Sequence, residues 1–571
     1  MTAQFTPPAP THPLTISVGD SAILPAQAMP YRTVRPLGVY LLQGLAAFDS
    51  VLLALDSVRG FILRVDPATD NATVLNYKHT EAYEGASGLT LWQDQLWFGR
   101  DQLVYTCRLG DFTPQPFLSM PYPVDGVAVG ESTLYVASQK EGYISIFDRK
   151  TRRLITRLPM PGVGPENLVL RGDELWVSDR CEQTVYCLDR ATGERIFSVM
   201  TPFESPSGLT FWQDPQSGQE LLYVAYAGEE AYVRDDPRNP SLPYELGFRD
   251  LTFIHPLHYV HNAAERYTLS NGYLVEMTYI EEFLPLEEVD LKHLEWRIAL
   301  PTNTQRQKVL RVEPVGLPYT EEIQNGQKIA LFKFNHYKGN ERHLFGWKAL
   351  MEVRGIRYQL TPDDVERAPE LDSEMQAQYL VDDDELAMDS PRIRQAAREA
   401  IGSETNLLRK MLKIRNYVYD RLSYSLTTTI APPDVVLERG IGSCGEYVGL
   451  LLALARLNGI ACRTVGRYKC PQKADHHNLP LEPDFNHVWL EFFIPGYGWV
   501  PMESNPDDVS ETGPYPLRFF MGLPWYHAEI GKGVSFSKIT TSNSEMDISI
   551  GELAINHVRF NILGELPPPR F

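Results

Sequence analysis

The chain has 571 residues, 43% apolar and 22% charged, with 53 basic against 73 acidic side chains and a formal net charge of −20. That length is more than one core serves and implies about three to four domains. The acidic balance excludes a phosphate backbone or an anionic membrane surface as the natural partner, since both are bound by excess Lys and Arg, and no apolar run is long enough to span a bilayer.

Residues 1–31 are rich in Pro, Thr and Ala and lack the basic start and apolar centre of a signal peptide. The six cysteines (Cys107, Cys181, Cys187, Cys444, Cys462 and Cys470) define no disulfide framework, so a reducing cytoplasm is expected. The chain then repeats over its first 245 or so residues. Gly44-Leu45-Ala46, Gly88-Leu89-Thr90, Gly126-Val127-Ala128, Asn167-Leu168-Val169 and Gly208-Leu209-Thr210 occupy one slot at a spacing of about 40. Second strands follow, such as Leu134-Tyr135-Val136 and Leu175-Trp176-Val177, and third strands end in Asp and a turn. Short alternating strands at that period predict four-stranded propeller blades over 1–250. The pattern resembles the six-bladed propellers of the NHL and SMP-30-like families. Five units are evident and a sixth is available from the N-terminal segment. A propeller implies positioning or recruitment rather than a particular chemistry.

Residues 262–360 are strand-rich without a period and read as a small β-sandwich, with Met351–Arg354 and Ile356–Leu360 alternating as half-buried strands do. Residues 361–389 are polar and acidic and read as a surface linker. Ser390-Pro391 is a helix start, and a second helix is predicted from about Ser403 to Leu422, with Leu407, Met411, Ile414 and Val418 on one face. A third, Cys444 to Asn458, is apolar nearly all round and ends before Gly459. Strands at Phe485–Phe493 and Trp499–Glu503 complete a helix-then-sheet domain over 390–530, followed by a C-terminal extension, 531–571.

Cys444 lies at the start of its helix, where partial positive charge lowers a thiol's pKa. Gly442 and Gly445 flank it and allow a substrate carbonyl to approach backbone N–H groups. His487 supplies a base, and a third group must hold its imidazole. A cysteine in such a place is otherwise a small buried hydrophobe. Cys462, Cys470, His476 and His477 suggest a zinc set, but their spacing matches no ordinary finger and no metal is assigned. Lys469 to Asp484 reads as a mobile loop bordering the site.

The segments Gly442-Ser443-Cys444-Gly445-Glu446-Tyr447, Asn486-His487-Val488-Trp489 and Gly498-Trp499-Val500-Pro501-Met502-Glu503 resemble the transglutaminase-like core, a papain-like fold with a Cys-His-Asp triad. The resemblance implies that Cys444 is the nucleophile, that His487 is its base and that Glu503 stands where the family places Asp. If the hairpin closes through a wide Phe492–Gly498 loop, Glu503 faces His487. A tight Gly-Tyr-Gly turn instead favours Asn505 or Asp507.

The fold class expected is therefore multidomain, mainly β plus α+β, with a propeller of five to six blades, a β-sandwich and a papain-like core. The expected function is thiol-dependent amide acyl transfer on a peptide or protein through a thioester, with no cofactor and no metal. Hydrolysis is favoured over amine transfer because nothing marks a dedicated amine site. The alternative is a catalytically inactive scaffold that binds peptides through propeller and core. A propeller-borne activity would need carboxylates converging on its axis, where the repeat offers only scattered candidates such as Asp125, Glu166 and Asp179.

Overall fold

The computed structural model describes residues 32–570 apart from 37, 216–217, 236–243, 284–290, 338–341, 384, 427–429, 484–485 and 542–552. Among the described residues the chain is mostly β, with many small antiparallel sheets, none of them closed on itself, and a helical segment towards the C-terminus.

The repeat becomes five successive sheets. Four have four strands each, and their first strands are Leu42–Phe48, Ala86–Trp92, Gly126–Val129 and Pro165–Arg171. The fifth, Pro206–Gln213 with Glu220–Asp235 and Tyr244–Leu257, has three. Each first strand lies beside the next, and that of the fifth sheet lies beside that of the first. The repeated glycine slot has a physical cause in this arrangement. A Cβ on Gly44 would stand 2.7 Å from the Leu89 backbone, one on Gly88 2.9 Å from Gly126 Cα, one on Gly126 3.0 Å from Asn167 Cα, and one on Gly208 3.2 Å from Gly44. Backbones approach here too closely for side chains.

The residues available for a sixth unit, 1–31, lie outside the described residues. Just beyond them Val34 pairs antiparallel with Ile254, exchanging hydrogen bonds of 2.7 and 2.8 Å. This part of the N-terminal segment therefore joins the outer strand of the fifth sheet.

Two larger sheets follow, packed face to face. One has the order Gln307–Gly316, Leu344–Tyr358, Tyr267–Phe283, Ala554–Glu565 and Pro480–Leu481; the other runs Thr320–Gln324, Gln327–Tyr337, Leu291–Ala299 and Ser537–Thr540. Met277, Trp296, Phe332, Phe345, Trp347 and Phe560 fill the space between them and are almost wholly buried. Residues 531–571, set apart as an extension in the sequence reading, give a strand to each sheet, because Val558, Phe560 and Ile562 are the apolar positions that match Met277 and its neighbours.

The linker, 361–389, contains helix α1 (Ser373–Tyr379), whose N-cap Asp372 accepts from Met375 N at 2.8 Å. The segment is held to the domain that follows, because Arg456 reaches Val381 O at 2.6 Å and pairs with Asp383. Helix α2 (Pro391–Ile401) starts at the expected proline. Helix α3 (Leu407–Tyr419) starts later than predicted, since Asn406 rather than Ser403 is the cap that accepts an amide. The unforeseen α4 (Pro433–Arg439) has the signals of a helix in Pro433 at its first turn and left-handed Gly440 after its end. Helix α5 (Cys444–Leu457) packs on α2, α3, α4 and a sheet ordered Cys462–Arg467, His487–Ile494, Gly498–Met502.

No helix among the described residues is long and apolar enough to cross a membrane.

Candidate active site

Cys444 is the first residue of α5, and a buried carboxylate fixes that helix start. Glu446, 1% exposed, accepts from Ser443 N at 2.8 Å and from Ala431 N at 2.9 Å, and pairs with Arg439 at 2.6 Å. Satisfying a helix-terminal amide in this way stabilises the turn by about 1 kcal/mol. It also holds Cys444 where the helix dipole favours a thiolate. The sulfur lies 4.0 Å from the Asn486 carbonyl. Gly442 is buried and packs against Val436, Glu446 and Tyr447, so of the two flanking glycines only Gly445 lines the cleft.

His487 is the first residue of its strand and lies behind the thiol. Its Nε2 stands 3.0 Å from Glu503 Oε1 and 2.8 Å from Oε2. Nε2 is therefore the ring nitrogen that faces the carboxylate. Burial raises the Cys444 pKa, but the hydrogen bond and charge of His487 outweigh it and bring the thiol below its ordinary value. Burial likewise lowers His487, and the charge of Glu503 with the Cys444 hydrogen bond reverses this, so the imidazole is raised.

The hairpin closes tightly through Pro495-Gly496-Tyr497, with Gly496 and Gly498 at positive φ of 90° and 95°. Its register sets Glu491 opposite Pro501 and Leu490 opposite Met502. The tight turn was expected to bring Asn505 or Asp507 to the histidine, and it does not. Ser504 Oγ donates to Asn505 Oδ1 at 2.8 Å, while Asp507 accepts from Arg518 Nε at 3.1 Å and Phe519 N at 3.0 Å. Glu503 reaches His487 along the diagonal of the strand pair, a distance that a long side chain spans.

Two residues that the sequence reading passed over complete the carboxylate's surroundings. His527 Nε2 lies 2.5 Å from Glu503 Oε1, and Lys469 Nζ lies 3.7 Å from the same oxygen. Ser504 N donates to Oε2 at 3.1 Å. Burial would raise Glu503, and the charges of His487 and Lys469 with these donors instead hold it well below the usual carboxylate range. Burial drives His527 down to about 3, so it meets Glu503 as a neutral imidazole donating from Nε2.

Residues 394–504 match the family model described as the transglutaminase-like superfamily. That stretch is a transglutaminase-like domain. An uncharacterized protein of Haemophilus influenzae is 23% identical over 252 residues, an alignment covering 36% of this chain and 66% of the relative, just under two thirds of its length. Among solved structures, a candidate cysteine protease from Cytophaga hutchinsonii is 16% identical, with a TM-score of 0.39 over 53% of this chain and 96% of that one. Glutaminyl cyclase from Myxococcus xanthus is 13% identical, with a TM-score of 0.28 over 39% and 95%.

In the transglutaminase-like domain the cleft above Cys444 is a cavity of about 660 Å³. The segment from Lys469, expected as a mobile loop, is tied down at its start: Lys469 pairs in backbone with His527, and Cys470 N donates to Tyr526 O at 2.8 Å. Cys462 and Cys470 are both buried thiols raised by burial, to about 12 for Cys462. Among the described residues no set of three His, Cys, Asp or Glu side chains is placed to share a metal ion.

The N-terminal sheets touch the site's support. Glu182, 1% exposed, accepts from Leu517 N at 2.8 Å, and Trp525 Nε1 donates to Pro202 O at 2.9 Å, so the segment leading to His527 rests on the fourth sheet and on its connection to the fifth. Glu166 lies within electrostatic reach of both Asp125 and Asp179, and burial, with a smaller push from Asp125, raises it to about 7 against the opposing charge of Arg180.

Proposed function

We propose that this protein is a cysteine-dependent amide acyltransferase acting on peptide or protein substrates, with Cys444, His487 and Glu503 as its catalytic residues. The observation that carries this reading is the arrangement at one helix start: a thiol lowered by His487, whose Nε2 is held by a buried, ionised Glu503. The Cys444 thiolate attacks the amide carbon, and the oxyanion forms beside the first-turn amides of α5, which have no intrahelical acceptor. His487, protonated at Nδ1, gives that proton to the departing nitrogen, leaving a thioester on Cys444. Water resolves the thioester after losing a proton to His487, releasing a carboxylic acid and restoring the thiolate. An amine entering in place of water would give a new amide, and the absence of a dedicated amine site in the sequence favours hydrolysis.

The five N-terminal sheets are read as a five-bladed propeller that recruits the substrate or braces the catalytic domain, on the support of the cyclic order of their first strands. A reducing cytoplasm suits a mechanism that needs Cys444 as a free thiol.

The test is alkylation by iodoacetamide at pH 7. Cys444 is expected to react much faster than free cysteine, with His487→Ala abolishing the excess. A rate equal to free cysteine, or one indifferent to His487→Ala, sinks the catalytic reading.

A further inference from the structure

The cleft does not stop at the sulfur. It continues for two turns along one face of α5, formed by Cys444, Gly445, Val448, Gly449 and Leu452. At a rise of about 1.5 Å per residue these positions span roughly 12 Å, the length of three to four extended peptide residues. The floor of this trough is glycine. Gly449 is interior to the helix, where glycine is a poor choice relative to alanine. Packing does not demand glycine at 449, since a Cβ there would meet only Pro433 Cγ at 3.7 Å, an ordinary contact. What the missing side chain does is leave space in the trough.

The walls are mixed: Leu386, Val465, Val534 and Phe536 supply apolar surface, Glu385, Arg467 and Ser535 supply polar surface, and Ile430 overhangs Gly445, where a Cβ would come within 3.2 Å of its Cδ1. At the mouth Leu426 is 67% and Ile430 76% exposed, an unusual setting for two large aliphatic side chains beside a reactive thiol.

We propose that the trough over Gly445 and Gly449 is a substrate subsite that takes a bulky apolar side chain, leucine- or phenylalanine-sized, within about three residues of the reacting amide. It rests on the functional reading above for the identity of the reacting group, and on the continuity of trough and sulfur for its occupant. Glycine at 449 sets the depth of the pocket, so this position determines specificity without touching the reacting atoms.

Binding separates this proposal from catalysis. Blocked tetrapeptide amides that differ at one position (Gly, Leu, Phe or Glu) are titrated calorimetrically into Cys444→Ala, which cannot react. The Leu and Phe peptides are expected to bind about tenfold or more tightly than the Gly and Glu peptides, the range that buried apolar groups deliver. Gly449→Ala and Gly449→Leu in the same background should remove this preference, partly for alanine and completely for leucine. Gly449→Ala should also raise Tm, which excludes misfolding as the cause. Equal affinities for all four peptides, no binding by any, or a preference unchanged in Gly449→Leu would overturn the proposal. Iodoacetamide reactivity of the Cys444 protein fails or succeeds independently of all three results.

Discussion

Glu503 and His487 are diagonal neighbours across their hairpin, and the glutamate side chain spans that diagonal to bring Oε2 within 2.8 Å of Nε2. Glutamate is thus matched to this register. Aspartate, the residue its family resemblance would suggest, is one methylene too short to make the same contact without moving a strand. Glu503→Asp should therefore lower kcat/KM by about tenfold to a hundredfold, with KM little changed. Full activity in Glu503→Asp, measured on any peptide the wild type cleaves, would show that the diagonal does not matter.

In the proposed mechanism His527 acts through Glu503, as a positioning residue. His527→Phe removes the donor at Oε1 and should cost about tenfold to a hundredfold in kcat, a loss typical of groups that orient a catalytic side chain. His527→Gln restores an N–H and should recover most of it. A purely structural role predicts that both variants lose Tm and activity in parallel. The positioning role predicts a shifted pH profile for Cys444 alkylation in His527→Phe alone.

The thiol and imidazole move towards each other in pKa, the thiol down from 9.0 and the imidazole up from 6.5. Alkylation should accordingly rise through a midpoint below 9.0. In His487→Ala the burial that raises Cys444 is opposed only by the Val488 backbone hydrogen bond, and the midpoint should move upward. For stability the signs differ. The elevated His487 contributes fully below 6.5 and its contribution is lost as pH rises through the folded value. The depressed Glu503 contributes above 4.5 and is lost as pH falls through its folded value. Thermal scans should show the largest joint contribution between 4.5 and 6.5, removed in His487→Ala.

Gly208→Ala tests the sheet array. Its Cβ would stand 3.2 Å from three backbone atoms of Gly44, none able to rotate away. A loss of about 1–3 kcal/mol is expected, read as a lower urea midpoint. Unchanged stability would show that the first and fifth sheets part easily.

Much of this was legible in the chain because the signals are local. Slot glycines at a fixed spacing, a proline at a helix start and a cysteine before an apolar run each depend on a few neighbouring residues. The third member of the site was harder to read, because the Gly-Tyr-Gly turn fixes which backbones oppose one another but not how far a side chain leans. His527 left no local trace. It lies 24 positions from Glu503 in a stretch without helix or long strand, and only tertiary packing brings it there. The strands of 537–540 and 554–565 were missed for the same reason, since the long strands they pair with, Leu291–Ala299 and Tyr267–Phe283, lie more than 200 residues upstream.

The pairing of Val34 with Ile254, and of the first strand's flank with the fifth sheet, also has a consequence for synthesis. A sheet near the start of the chain gains its second neighbour only when residues some 200 positions later have left the ribosome. Until then its flank is open, and the nascent N-terminal half is a clasp waiting for its other end. A stop at any codon before Ile254 would leave that clasp unfastened, making such fragments natural clients of chaperones.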